Sequence, residues 1–85
     1  MIPIVLYTKA NCTLCDQAKV LLAGFHGRYP YELREVDITA DDALFALYRY
    51  RIPVLDIAGR EVAAPIEASA LEEALRLAWD EGVLG

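Results

Sequence analysis

Long apolar runs are absent from this 85-residue sequence. No stretch approaches the roughly 20 residues that a membrane-spanning helix needs, so no membrane partner is expected. The opening MIPIVLYTKANC is apolar only as far as Tyr7 and has no basic leader, and it does not read as a secretion signal. Cationic side chains are scarce. Lys and Arg total 8 against 13 Asp and Glu, for a net charge of −5. Phosphate binding relies on clustered Lys and Arg, so no nucleic-acid partner is expected. The one local Arg/Tyr cluster, around Arg49 and Arg51, is too small a footprint to change that. Histidine occurs once and cysteine twice. Two cysteines are too few for a disulfide framework and point instead to reactive thiols or metal ligands. The 56% apolar content excludes disorder. The expectation is a single domain over residues 1–85, soluble, cytoplasmic and monomeric.

What is present is organised around the stretch VLYTKANCTLCDQAKVLL, residues 5–22. Ile2 to Tyr7 is a short apolar run, the pattern of a strand buried on both faces. A helix follows from Thr13 to about Phe25, with Leu14, Ala18, Leu21, Leu22 and Phe25 as its apolar stripe. Gly24, Gly27 and Pro30 mark its end. His26, in that last turn, reads as a solvated residue near a helix C-terminus rather than as a ligand or base. Tyr31 to Ile38 is a weaker strand. Leu33 falls on one parity and Val36 and Ile38 on the other, which predicts an edge strand or a bulge. Thr39 is the expected cap of a second helix, with Asp41 and Asp42 in its first turn and Leu44, Leu47 and Tyr48 facing inward. Pro53 to Ile57 and Arg60 to Ala64 read as a hairpin turning at Ala58-Gly59. The last helix is expected to open at Ser69 with a Ser69-x-x-Glu72 capping box. It buries Leu71, Ala74, Leu75 and Ala78, is bordered by Trp79, and stops at Gly82. The order is β-α-β-α-β-β-α. A strand–helix–strand unit leaves its strands parallel, and a hairpin adds antiparallel ones. The fold class is therefore α/β, a four-stranded mixed sheet flanked by helices. Sites in such sheets lie beyond the carboxyl ends of the parallel strands, where Cys12 falls.

Cys12 and Cys15 are spaced Cys-x-x-Cys. Positions three apart on a helix are neighbours, so the two sulfurs can bond with little adjustment of the first turn. A purely structural staple is a poor explanation, because the stabilisation grows with the logarithm of the closed loop and this loop is short. A second bland reading, two small buried hydrophobes, suits Cys15 but not Cys12, which lies outside the stripe. A helix N-terminus collects unpaired N–H groups and partial positive charge, which lowers a thiol pKa to below about 7.5. Lys9 adds a positive charge, and Asp16 opposes it if it lies near the sulfur. The expected chemistry is thiol–disulfide exchange, with Cys12 attacking and Cys15 resolving. Two other readings stay open. Zinc wants four N or S ligands, or three with water, so a metal or iron–sulfur site would have to be shared between two chains. Alternatively, the domain is a partner-binding module in which the cysteines are idle.

YTKANCTLC resembles the opening of the glutaredoxin active site, with a lysine three residues before the first cysteine, and RIPV resembles the stretch before the third strand of thioredoxin-fold proteins. The resemblance spans about residues 2–80 and is strongest to short bacterial glutaredoxin-like proteins. It implies a thioredoxin-like fold, Cys12 as nucleophile, Cys15 as resolving cysteine, and a cis bond between Ile52 and Pro53. Through that bond the Ile52 backbone would face Cys12 and pair with an extended peptide or with glutathione. It also implies that Lys9 and Arg51 hold glutathione carboxylates and that Leu14 borders the substrate. No bound cofactor or metal is implied; glutathione would be a co-substrate, and the partner a disulfide-containing protein. Leu14 stands where glutaredoxins usually carry an aromatic residue, and AAPIEAS leaves Glu67 as the acidic candidate for the glutathione amine. VLYTKANC and VDIT are also similar to the redoxins of ribonucleotide reductase, which take electrons from thioredoxin reductase.

Overall fold

The computed structural model describes residues 1–84, with side chains through Gly82. Its elements run β1 (Ile2–Thr8), α1 (Thr13–Ala23), β2 (Tyr31–Asp37), a 3-10 turn (Ile38–Ala40), α2 (Asp42–Tyr48), β3 (Val54–Ile57), β4 (Arg60–Ala63) and α3 (Ala68–Leu84). The sheet order is β2-β1-β3-β4. β1 pairs in parallel with β2 and antiparallel with β3, and β4 pairs antiparallel with β3. The α/β class, the mixed four-stranded sheet and the element order are those expected.

Alternation along β1 divides the core. Ile2, Ile4 and Leu6 are buried on one face, where they meet Leu22 of α1 and Leu71 and Leu75 of α3. Leu55 and Ile57 join the same cluster from β3. Side chains of opposite parity point to the other face. There Tyr7 and Val54 pack with Tyr48, Ile38, Leu44 and Ile52. Among the described residues, only the seven-residue α2 and the 3-10 turn contribute helical cover there. Burial of β1 on both faces, expected from its apolar run, is therefore complete on one face only: Pro3 is exposed and Val5 partly so. Among the described residues no helix is long and apolar enough to cross a membrane.

Several local expectations are corrected. α1 buries Cys15, Ala18 and Leu22, whereas Leu14 is 57% exposed. Cys15 takes the inward position that the periodicity assigned to Leu14. α1 also ends at Ala23 rather than Phe25, with Gly24 as its cap. The edge position of β2 holds, and its mixed parity resolves because Ile38 leaves the strand and is buried from the 3-10 turn. The α2 cap is Asp41, whose Oδ1 accepts the Leu44 N–H at 3.0 Å, and not Thr39. Thr39 instead donates to Asp37 through both its N–H and its hydroxyl. Leu47 is 57% exposed rather than inward. α3 starts at Ala68, so Ser69 lies inside the helix and forms no capping box; Glu72 pairs with Arg28 at 2.8 Å. Gly82 does not stop α3, which runs to Leu84.

The hairpin turns where expected. Ala58 and Gly59 have φ of 51° and 95°, the positive pair that suits a two-residue turn to the twist of its strands. Asp56 Oδ1 accepts the Gly59 N–H at 2.8 Å and fixes the turn.

The packing predicts that Leu71→Ala lowers unfolding free energy by about 2–5 kcal/mol in urea. Leu47→Ala should change it by about 0.5 kcal/mol or less. Comparable losses in the two variants would contradict the placement of α2.

Candidate functional site

The site grows from the junction of β1 and α1. β1 ends at Thr8, and Asn11, with φ of 58°, bends the chain into the helix. Asparagine is among the residues that tolerate this left-handed conformation. Cys12 then occupies the N-cap with extended backbone. Its Sγ accepts the Cys15 N–H at 3.2 Å, and its carbonyl accepts the Asp16 N–H at 3.1 Å. The first amides of a helix have no carbonyl partner within it; here a sulfur meets one of them. Cys12 and Cys15 are joined as a disulfide across Cα atoms 5.2 Å apart. The two sulfurs are not equivalent. Cys12 is partly exposed, while Cys15 is buried at 1% exposure.

Two of the depressions to which the turn contributes are of opposite character. One, of about 380 Å³, is polar and lined by Cys12, Lys9, Asp16, Lys19, Glu35 and Asp37 among others. Lys19 lies 3.2 Å from Glu35 and 3.7 Å from Asp16, and its hydrogen bond to Glu35 raises its pKa above the usual lysine value. The Thr39 hydroxyl and N–H hold the Asp37 carboxyl below its usual range. The other depression is a groove of about 640 Å³ between α1, the loop before β3 and the segment after β4. Leu14 and Leu21 form one wall, Tyr50, Ile52 and Pro53 another, and Ala64, Pro65 and Ile66 close it. The bonds Ile52–Pro53 and Ala64–Pro65 are both cis. The Ile52 N–H donates to the Tyr48 carbonyl at 3.2 Å. An extended peptide pairing at this residue would therefore rest on its carbonyl.

The residues singled out in the sequence are thus not gathered in one place. Leu14, Ile52 and Pro53 line the apolar groove; Lys9 lines the polar depression with Cys12. Arg51 lines neither and is bound to Glu61 at 3.2 Å. Glu67 is exposed, and its carbonyl accepts the Leu71 N–H at the start of α3. His26 is exposed and packs edge-on to Tyr31. Among the described residues no group of three or more His, Cys, Asp or Glu is placed to hold a metal.

Residues 3–77 match the family described as glutaredoxin-like domain (DUF836). The chain belongs to that family. Solved structures place the glutaredoxin-like domain among thioredoxin-like folds. Protein XcR50 from X. campestris is 39% identical, over 87% of this chain and 96% of that one, with a TM-score of 0.73. Protein Ne2328 from Nitrosomonas europaea is 25% identical over 86% and 88%, also with a TM-score of 0.73. The thioredoxin-like protein BC3987 is 26% identical over 86% and 94%, with a TM-score of 0.61. A glutaredoxin-like fold carrying a bonded Cys12–Cys15 pair at a helix N-terminus is a redox-type site.

Sequence reasoning missed the support behind the Ile52–Pro53 loop. The Tyr48 hydroxyl donates to Glu61 Oε2 at 2.9 Å, and Tyr48 stacks on Tyr7 with centroids 4.4 Å apart. Arg51 reaches the other Glu61 oxygen and lies over the Tyr48 ring. This network ties the end of α2 and the loop to β4. The hydrogen bond to Glu61 keeps the Tyr48 proton in place, burial and the Glu61 charge act in the same direction, and its pKa is pushed up to about 12. Free tyrosine ionises near 10. The contribution of the network to stability is thus fully present below about pH 10 and is lost as pH rises through about 12. Burial also raises Tyr31; alkaline absorbance titration, with circular dichroism in parallel to report unfolding, should show a latest-ionising tyrosine whose step disappears in Tyr48→Phe and moves down in Glu61→Gln. An unchanged late step in Tyr48→Phe would contradict the network.

Proposed function

We propose that this glutaredoxin-like domain is a thiol–disulfide oxidoreductase working through the Cys12/Cys15 couple. The observation that carries the reading is the asymmetry of the pair: an outer sulfur at the helix cap, receiving an amide N–H, and an inner sulfur buried behind it. The amide and the helix end favour a thiolate on Cys12 once the pair is reduced. That thiolate attacks one sulfur of a substrate disulfide. The substrate S–S bond breaks, one substrate thiol leaves with a proton, and the other stays bonded to Cys12. Cys15 then attacks Cys12, reforms the intramolecular disulfide and releases the second substrate thiol. Two electrons pass from the cysteine pair to the substrate, and its two sulfurs take up the two protons. The bonded state seen here is the oxidised end of that cycle. Reduction by glutathione or by thioredoxin reductase returns it. We place the activity in the cytoplasm, where such donors keep thiols reduced.

Each half of the cycle has its own test. Cys12→Ser should abolish disulfide reduction. Cys15→Ser should complete only the first half and accumulate a mixed disulfide, visible as a mass increase equal to one substrate thiol less two hydrogens. Undiminished turnover by Cys12→Ser would overturn the assignment.

A further inference from the structure

Two influences of opposite sign meet at Cys12. The helix end and the Cys15 N–H favour a charged sulfur. The polar depression that Cys12 lines does the reverse. Its charged side chains are Lys9 from the turn, Asp16 and Lys19 from α1, and Glu35 and Asp37 from β2. Two cations against three carboxylates leave one negative charge in excess. The apolar groove adds no charge, since its lining holds no Asp, Glu, Lys, Arg or His. A shallower depression along α1 adds none beyond Asp16 itself. Within the polar depression the carboxylates are held differently. Asp16 follows Cys12 by four positions, and its N–H donates to the Cys12 carbonyl at 3.1 Å; residues so spaced share one helix face. Glu35 and Asp37 share a face of β2, which runs beside the strand that delivers Cys12, with Leu6 opposite Glu35 and Thr8 opposite Asp37. Thr39 holds Asp37 through its N–H and hydroxyl. Lys19 joins the other two, 3.2 Å from Glu35 and 3.7 Å from Asp16, and so bridges the helix to the strand.

We propose that Lys19 is a positioning residue for the reaction: anchored on Glu35, it offsets the Asp16 carboxylate and so sets how readily Cys12 ionises. This rests on the reading of Cys12 as the nucleophile. Attack on a disulfide requires the thiolate, and an unopposed carboxylate one turn along the helix disfavours it. Without Lys19 the depression would hold two negative charges in excess; without Asp16 it would hold none. Lys19 and Asp16 therefore act on the sulfur with opposite sign, and the loss of both restores the original balance. Lys19 touches no substrate atom in this scheme and works through the field alone. The side chains of Asp16, Lys19 and Glu35 all reach solvent, so water and dissolved ions weaken the effect without abolishing it.

The test is the rate of alkylation of the fully reduced chain by iodoacetamide, followed against pH at low salt, with the modified cysteine assigned by peptide mass. The reagent is uncharged, so the depression does not attract or repel it. The Cys12 thiolate attacks its carbon and iodide leaves. Below the midpoint of the profile, Lys19→Gln should react about two- to threefold more slowly than the wild type and Asp16→Asn faster by a similar factor, the Coulomb effect of one charge acting across a few ångströms of water. The midpoint should move up in the first and down in the second. Lys19→Arg, which keeps the charge, and the double variant Asp16→Asn/Lys19→Gln should both follow the wild type. In about 1 M salt, where the screening length falls to about 3 Å, the single-variant differences should shrink towards zero. Ion pairs this exposed contribute little to stability, so the variants are expected to fold, with circular dichroism as the check. Shifts of the same sign in Lys19→Gln and Asp16→Asn, differences that persist in high salt, or profiles that all match the wild type would overturn the inference and leave the oxidoreductase reading intact. Alkylation of wild-type Cys12 no faster than that of Cys15 would instead overturn the reading of Cys12 as the nucleophile.

Discussion

A helix must begin somewhere, and the first amides of α1 have no carbonyl behind them. In this chain the Cys15 N–H is met at 3.2 Å by the Cys12 sulfur. Everything else at the site depends on that one arrangement. It requires Cys12 to sit at the cap with extended backbone, which in turn requires the bend at Asn11 and a strand that ends at Thr8. It requires Cys15 to face the core, one turn further on, where apolar neighbours exclude water from it. The same geometry that satisfies an orphan donor also sets one sulfur outward and the other inward.

The sheet holds this junction in place. β1 is a central strand, bonded on both edges, with Leu6 in the main core and Tyr7 in the smaller cluster on the opposite face. The loop carrying Ile52 and Pro53 is fixed from behind by Tyr48, Arg51 and Glu61. The braced loop and α1, which follows the strand end, therefore form two sides of the groove. Arg51 serves that bracing, which explains why it does not line the groove.

Much of this was legible in the sequence. An apolar run entering Cys-x-x-Cys and a helical pattern could place a sulfur at a helix start, because strand, cap and helix are all local. The element order followed from periods and turn residues for the same reason. What escaped was long-range or finely phased. Leu14 and Cys15 are adjacent and both apolar, so periodicity alone cannot say which faces inward; the cap settles the phase and buries the cysteine. The stretch DITADDA offers several capping side chains, and the choice of Asp41 over Thr39 depends on where the 3-10 turn ends. The partner of Arg51 lies on β4, brought close by the hairpin register that pairs Val54 with Ala63 and Asp56 with Glu61. Nothing within a few residues of Arg51 announces it. The groove wall at Ala64, Pro65 and Ile66 was likewise invisible, although a proline just past a hairpin was a signal that the chain turns there.

The central claim is that the Cys12–Cys15 bond is a working couple and not a staple, and its reduction potential tests that most directly. Equilibration of the protein against thiol–disulfide buffers of known potential, with trapped thiols counted by mass, should give a single two-electron transition between about −180 and −270 mV, the range of known redoxins. A transition below about −300 mV, where structural disulfides lie, would contradict the account.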